Sequence, residues 1–147
     1  MTSCWGQGGA DRLNGGPGAD QLHGGTGNDR LTGGNDADRF YFHTAPNAKT
    51  NHDIVTDFTS GSDTLVFSQN DFIAIGALGK LTASAFWSGA GVTSAHDASD
   101  RVIYDSTTGA LYYDADGSGG VAAAVLVAHL GVSVHPALAA GDLLIVV

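Results

Sequence analysis

Residues 15–32, GGPGADQLHGGTGNDRLT, are one nine-residue phrase written twice. Gly15, Gly16, Gly18, Asp20 and Leu22 return as Gly24, Gly25, Gly27, Asp29 and Leu31. An imperfect copy precedes them at 6–14: Gln7 replaces the second glycine, while Gly9, Asp11 and Leu13 keep the register. A fourth follows at 33–41, with Gly34 and Asp38 in place, Asp36 where the fourth-position glycine belongs, and Phe40 as the apolar residue. A flexible Gly/Asp linker has no reason to hold an apolar residue in strict nine-residue register. The tract is a structural array.

The pattern asks for a hard cation. Calcium takes six to eight oxygens, carboxylates and backbone carbonyls, in forgiving geometry. Glycines at positions one, two and four are expected to admit backbone conformations closed to other residues, turning carbonyls towards a common centre. Those at two and four (Gly9, Gly16, Gly18, Gly25, Gly27, Gly34) are the candidate carbonyl donors. Asp11, Asp20, Asp29 and Asp38 supply the charge. The three residues that follow each aspartate are expected to be extended, with Leu13, Leu22, Leu31 and Phe40 facing inward as a narrow ladder. If successive units lie on opposite sides of a flattened coil, Asp11 stacks with Asp29 and Asp20 with Asp38. Two interior metal sites follow, with room for a third where the Asp29 loop meets the chain beyond residue 41. Asp36 places a side chain, and a further carboxylate, beside the Asp20/Asp38 site. Four ladder side chains bury too little surface to offset ordering 36 backbone residues, and the stacked aspartates repel. The array is therefore expected to fold only with metal, the two events forming one equilibrium.

Bulk properties agree. The 147 residues make one domain's worth of chain. All fifteen acidic residues are aspartate, a turn former, and six lysines and arginines leave a net charge of −9. No basic stripe exists to neutralise phosphates, which excludes a nucleic-acid partner, and no apolar run reaches membrane-spanning length. Cys4 stands alone, so no internal disulfide forms. Residues 1–6 have neither the basic nor the apolar region of a signal peptide, and the array opens almost at once. The start is expected to be a truncation within a larger protein.

Composition shifts after Tyr41. Two segments are expected, a repeat roll at 1–41 and a β-rich cap at 42–147. Short apolar runs at 40–42, 54–55, 65–67, 102–104, 111–113, 121–130 and 143–147 read as strands. Arg101–Asp114 reads as a hairpin closed at Gly109, Thr82–Phe86 as one helical turn with a threonine cap, and Ser88–Asp100 as a loop. The expected class is all-β.

These residues resemble the RTX, or haemolysin-type calcium-binding, repeats of bacterial exoproteins. His52–Phe58 with Gly61–Leu65 looks like the segment that follows the repeats in serralysin-type C-terminal domains. Ala110–Gly119 is similar to a motif common downstream of such repeats. Asp142 followed by Leu143–Val147 looks like the terminal element of type I secretion substrates. The resemblance implies a parallel β-roll continuing into a β-sandwich-like cap. It also implies a secreted, extracellular, monomeric module that is exported unfolded through the type I secretion apparatus and folds on Ca²⁺ outside the cell. An upstream catalytic or toxin domain would be its partner in the parent chain, and the module itself no enzyme. The alternative is an accessory polysaccharide-binding module resembling those of alginate epimerases, against which the low count of basic residues weighs.

Other candidates are weaker. Asp114, Asp116 and Ser118 have the opening spacing of an EF-hand, but position 12 is Val125, so a polar turn serves as well. Asp53, Asp57 and Asp63 either complete a calcium site at the roll's end or cap turns. Six histidines lack zinc-like spacing, and H-E-x-x-H cannot occur without glutamate. No G-x-S-x-G, G-x-G-x-x-G or P-loop occurs.

Overall fold

The nine-residue period becomes a two-strand coil that closes every eighteen residues. The computed structural model describes residues 1–147. Strands β1 (Ser3–Trp5), β2 (Arg12–Pro17), β3 (Gln21–His23), β4 (Arg30–Asn35), β5 (Arg39–Phe42), β6 (Asp53–Val55) and β7 (Thr64–Ser68) alternate between two sheets. The cap adds β8 (Gly79–Lys80), β9 (Phe86–Gly89), β10 (Val102–Asp105), β11 (Ala110–Tyr113), β12 (Val125–Leu130) and β13 (Leu143–Val146). The protein is all-β; its only helical pieces are three single 3-10 turns. No helix is long and apolar enough to cross a membrane.

Pairing along the roll is parallel. Ser3 faces Gln21 and Gln21 faces Arg39 on one side; Arg12 faces Arg30 on the other. Position eight of each repeat therefore lands on position eight two repeats on, and alternation sends it inward. Leu22, Leu31 and Phe40 are fully buried, whereas Leu13, on edge strand β2, is half-buried. The coil does not stop at Tyr41. Val55 and Leu65 extend the ladder, paired with Leu31 and Phe40, after the spacing lengthens to 24 and 25 residues. Both sheets run across the compositional shift, as β1-β3-β5-β7-β13-β8 and β2-β4-β6-β12-β11-β10-β9. A single core of 22 buried residues, from Leu22 to Ile145, fills the space between them.

The C-terminal strand is interior to its sheet. β13 pairs in parallel with β7 and antiparallel with β8, and buries Leu143 and Ile145. On the outer face of β1, β3 and β5, Trp5, His23 and Tyr41 stack one per turn, with centroids 3.7 and 4.1 Å apart. Burial, with His43 beside it, pushes His23 down to about 4, so the imidazole is neutral.

The hairpin is β10 and β11 with Gly109 in the left-handed region at φ 74°. Three local expectations shift. The strand expected from residue 121 starts at Val125, because Asp116 Oδ2 accepts the amides of Val121 and Ala122 and holds them in a turn. The turn at Ala83–Ala85 forms without a capping bond between the Thr82 side chain and its backbone; the Thr82 hydroxyl is hydrogen-bonded instead to Ser84 Oγ at 3.3 Å. β9 takes Ser88 and Gly89 from the expected loop by pairing in parallel with β10.

Candidate metal centre

Each turn of the roll places one aspartate directly beneath the next. The Asp11 amide donates to Asp29 Oδ1 at 2.8 Å, and the Asp20 amide to Asp38 Oδ1 at 2.8 Å. The columns continue: the Asp29 amide donates to Asp53 Oδ1, and that of Asp38 to Asp63 Oδ1, both at 3.0 Å. Asp11–Asp29–Asp53 form one column and Asp20–Asp38–Asp63 the other. Oδ1 thus ties one turn to its neighbour.

Oδ2 is left over. In Asp11, Asp20, Asp29 and Asp38 this oxygen is buried with no hydrogen-bond partner. An unpartnered buried carboxylate oxygen is costly, and here the same orphan recurs at each repeat. Burial raises the carboxyls of Asp29, Asp38 and Asp63 above the usual range, and neighbouring carboxylates add to it: Asp11 beside Asp29, Asp63, Asp20 and Asp57 around Asp38, Asp57 and Asp142 around Asp63. Asp53 is pushed up to about 7, again by burial first and then by Asp29. Every one of these shifts marks negative charge held out of water without a counter-charge.

The glycines define the space around those oxygens. A Cβ on Gly25 would stand 1.9 Å from the Gln7 carbonyl oxygen, one on Gly27 1.9 Å from that of Gly9, and one on Gly34 2.1 Å from that of Gly16. Gly9, Gly16, Gly18, Gly25, Gly27 and Gly34 all have positive φ. The first-position glycines, expected to serve in the same way, do not. Gly15 lacks positive φ, but its Cβ would lie 2.7 Å from both Asp20 Oδ2 and the Gly33 carbonyl oxygen. At Gly24 and Gly33 a Cβ would come within 2.4 and 2.3 Å of the same repeat's aspartate Oδ2. Position one must be glycine to keep room beside the carboxylate. Gln7 and Asp36 take up the left-handed conformation of the glycines they replace, at φ 74° and 78°.

Glycine-loop carbonyls stacked turn on turn and orphaned carboxylate oxygens fit a hard divalent cation. The Oδ2 atoms of Asp11, Asp20, Asp29 and Asp38, with carbonyls of the Gly-rich loops, would hold it and receive its charge. Side chains from beyond the repeats close the far end. Asp57 accepts the amides of Gly33 and Gly34 at 2.9 Å each, and Asn51 Oδ1 that of Gly27 at 2.8 Å. Asp63 Oδ2 accepts the Thr59 amide. Asp142 braces that turn, accepting from Ser60 Oγ at 2.6 Å and from the Gly61 amide at 3.0 Å.

Residues 5–40 match the model of the RTX calcium-binding nonapeptide repeat family, in four copies. Residues 5–40 are RTX repeats. The RTX repeats are of a calcium-binding kind, and the matched segment is the one that carries the four orphaned oxygens. No curated protein matches the chain.

Beyond the two columns, Asp116 Oδ1 is also buried without a partner, although its Oδ2 is engaged. Asp114 Oδ1 accepts the Asp116 amide at 3.2 Å, and Asp116 holds Val121 and Ala122. His96, Asp97 and Asp100 also gather on one loop; there Asp100 Oδ2 accepts the amides of His96 and Asp97.

Proposed function

We propose that this chain is a calcium-triggered folding module that supports type I secretion of a larger exoprotein. The carrying observation is the row of four buried, unpartnered Oδ2 atoms. Where calcium is scarce, those charges and the cost of ordering a narrow coil keep the roll open, as an exporter that passes unfolded chains requires. Outside the cell, calcium supplies the missing counter-charge and the coil closes. Sites in extracellular modules commonly have Kd of roughly 10⁻⁴–10⁻³ M, above cytosolic calcium and below that of many external media.

The tail takes part in both states. Extended and free, Asp142–Val147 is the secretion signal of the unfolded chain. Once folded, the same residues are β13 and the brace on the Thr59–Asp63 turn. Export and folding thus use one segment in sequence, and the module performs no catalysis of its own. The test is a reporter fused upstream and expressed with a type I exporter. The reporter should reach the medium with the intact module and stay inside when residues 142–147 are deleted. Equal export by both would refute the assignment.

A further inference from the structure

The outer face of the roll carries a second set of orphaned atoms, and these are nitrogens. His23 lies in register beside Tyr41, and strand alternation returns His43, one residue past β5, to the same face. His23 is 7% exposed, and neither of its ring nitrogens has a hydrogen-bond partner. Nδ1 of His43 is buried and unpartnered as well. A neutral imidazole brings one donor and one acceptor, so burying both unmet is costly. An apolar side chain would fill the same stack without that cost.

Trp5 covers one face of the His23 ring and Tyr41 the other. Only the edge, where the nitrogens lie, is left to meet His43. The His43 ring stands at 87° to it, with the centroids 5.1 Å apart. A zinc ion bound by an imidazole nitrogen lies about 2.0–2.1 Å from that atom, and hence about 3.2 Å from the ring centre. For rings 5.1 Å apart, one shared ion then subtends about 105° between their centres, close to the tetrahedral angle. His52 also has a buried, unpartnered Nδ1. Its ring centre, however, is 6.5 Å from that of His129, beyond the roughly 6.4 Å that one ion could span.

We propose that His23 and His43 form a two-imidazole site for a tetrahedral divalent transition metal, zinc foremost, with two positions left to water. Imidazole suits zinc, whereas calcium takes oxygen, so this site and the aspartate columns do not compete. Copper(II) and nickel(II) favour square-planar surroundings, which the angle between the rings does not offer. The ion would clasp β3 to the segment after β5 and stabilise the closed roll by mass action. The pair meets only when β3 and β5 are in register, so the site rests on the calcium-folded roll proposed above.

The test is calorimetric titration of zinc chloride into the full chain in millimolar calcium, with cobalt(II) absorption on the same protein to report coordination. One zinc site should be lost, or weakened at least tenfold, in His23→Gln and in His43→Gln. It should persist in His129→Gln and in His96→Gln, which removes the histidine gathered with Asp97 and Asp100. Cobalt should give the intense visible band of tetrahedral coordination, absent from both pair variants. His43 is only half-buried, so His43→Gln decides the matter if far-UV circular dichroism shows that His23→Gln fails to fold. Unchanged zinc binding in His43→Gln, no zinc binding to the folded chain, a weak octahedral cobalt spectrum, or loss of the site in His96→Gln would overturn the assignment. The titration is repeated on calcium-depleted chain. Equal zinc binding by a chain whose dichroism shows it open would also overturn the pair. Zinc binding beside a dichroism indifferent to calcium counts against the folding reading alone.

Discussion

Asp29 is the middle rung of its column, and replacing it with asparagine separates its two jobs. Its Oδ1 accepts the Asp11 amide at 2.8 Å, while its Oδ2 is buried and unpartnered. The asparagine side chain keeps an acceptor for the amide and turns an N–H into the space where the carboxylate oxygen stood. In chelator, where the roll is open, Asp29→Asn should show no less β-sheet signal than the parent, since it removes a charge that burial and Asp11 disfavour in the closed roll. In 10 mM calcium it should lose the contribution of the metal held there. For Kd of roughly 10⁻⁴–10⁻³ M, the binding linkage gives about 1.4–2.7 kcal/mol per site. Asp29→Ala also orphans the Asp11 amide, costing about 1–3 kcal/mol more in calcium. Urea melts at two calcium concentrations, with circular dichroism spectra in chelator, measure all three proteins. If Asp29→Asn gained as much from calcium as the parent, Oδ2 would not be a ligand and the reasoning would fail.

Three further outcomes follow from the same geometry. Gly27→Ala drives a Cβ to 1.9 Å from the Gly9 carbonyl and should abolish the calcium-dependent melt, a loss of about 3 kcal/mol or more, whereas Gly61→Ala, at φ 81° with open space around it, should cost only about 1–2 kcal/mol. Gln7→Gly and Asp36→Gly relieve left-handed non-glycine residues and should each stabilise the calcium form by about 0.5–1 kcal/mol, read as a shift in melting midpoint. Calcium affinity should rise with pH up to about 7. Asp53 is raised to about 7 in the folded roll, so its protonated form favours the metal-free fold below the unfolded carboxyl value, and that stability is lost as pH climbs through 7. Calcium must displace the proton; calorimetry in buffers of differing ionisation enthalpy should show its release near pH 6, and none would sink the assignment of Asp53 to the column.

The roll was legible because its signal is local. A nine-residue period with an apolar residue at position eight prescribes a two-sided coil, and Leu22, Leu31 and Phe40 fall where that pattern puts them. The stacking of Asp11 on Asp29 and of Asp20 on Asp38 follows from the same period. What stayed hidden is non-local or steric. Asp53 and Asp63 join the columns after insertions that break the eighteen-residue step, so register alone left them ambiguous. The first-position glycines have no unusual φ; only the nearness of Oδ2 explains them. β13 pairs with a strand almost eighty residues earlier, a contact that no window of sequence contains.

The central claim is that calcium binding and folding of the roll are one event. A calcium titration of the chelator-treated full chain, followed simultaneously by far-UV circular dichroism and by calorimetry, tests it most directly. The account predicts β-sheet signal rising from near none to its full value along the binding isotherm, complete by millimolar calcium, with at least two ions bound per chain. A spectrum that is already β-rich in chelator and unmoved by calcium would contradict it.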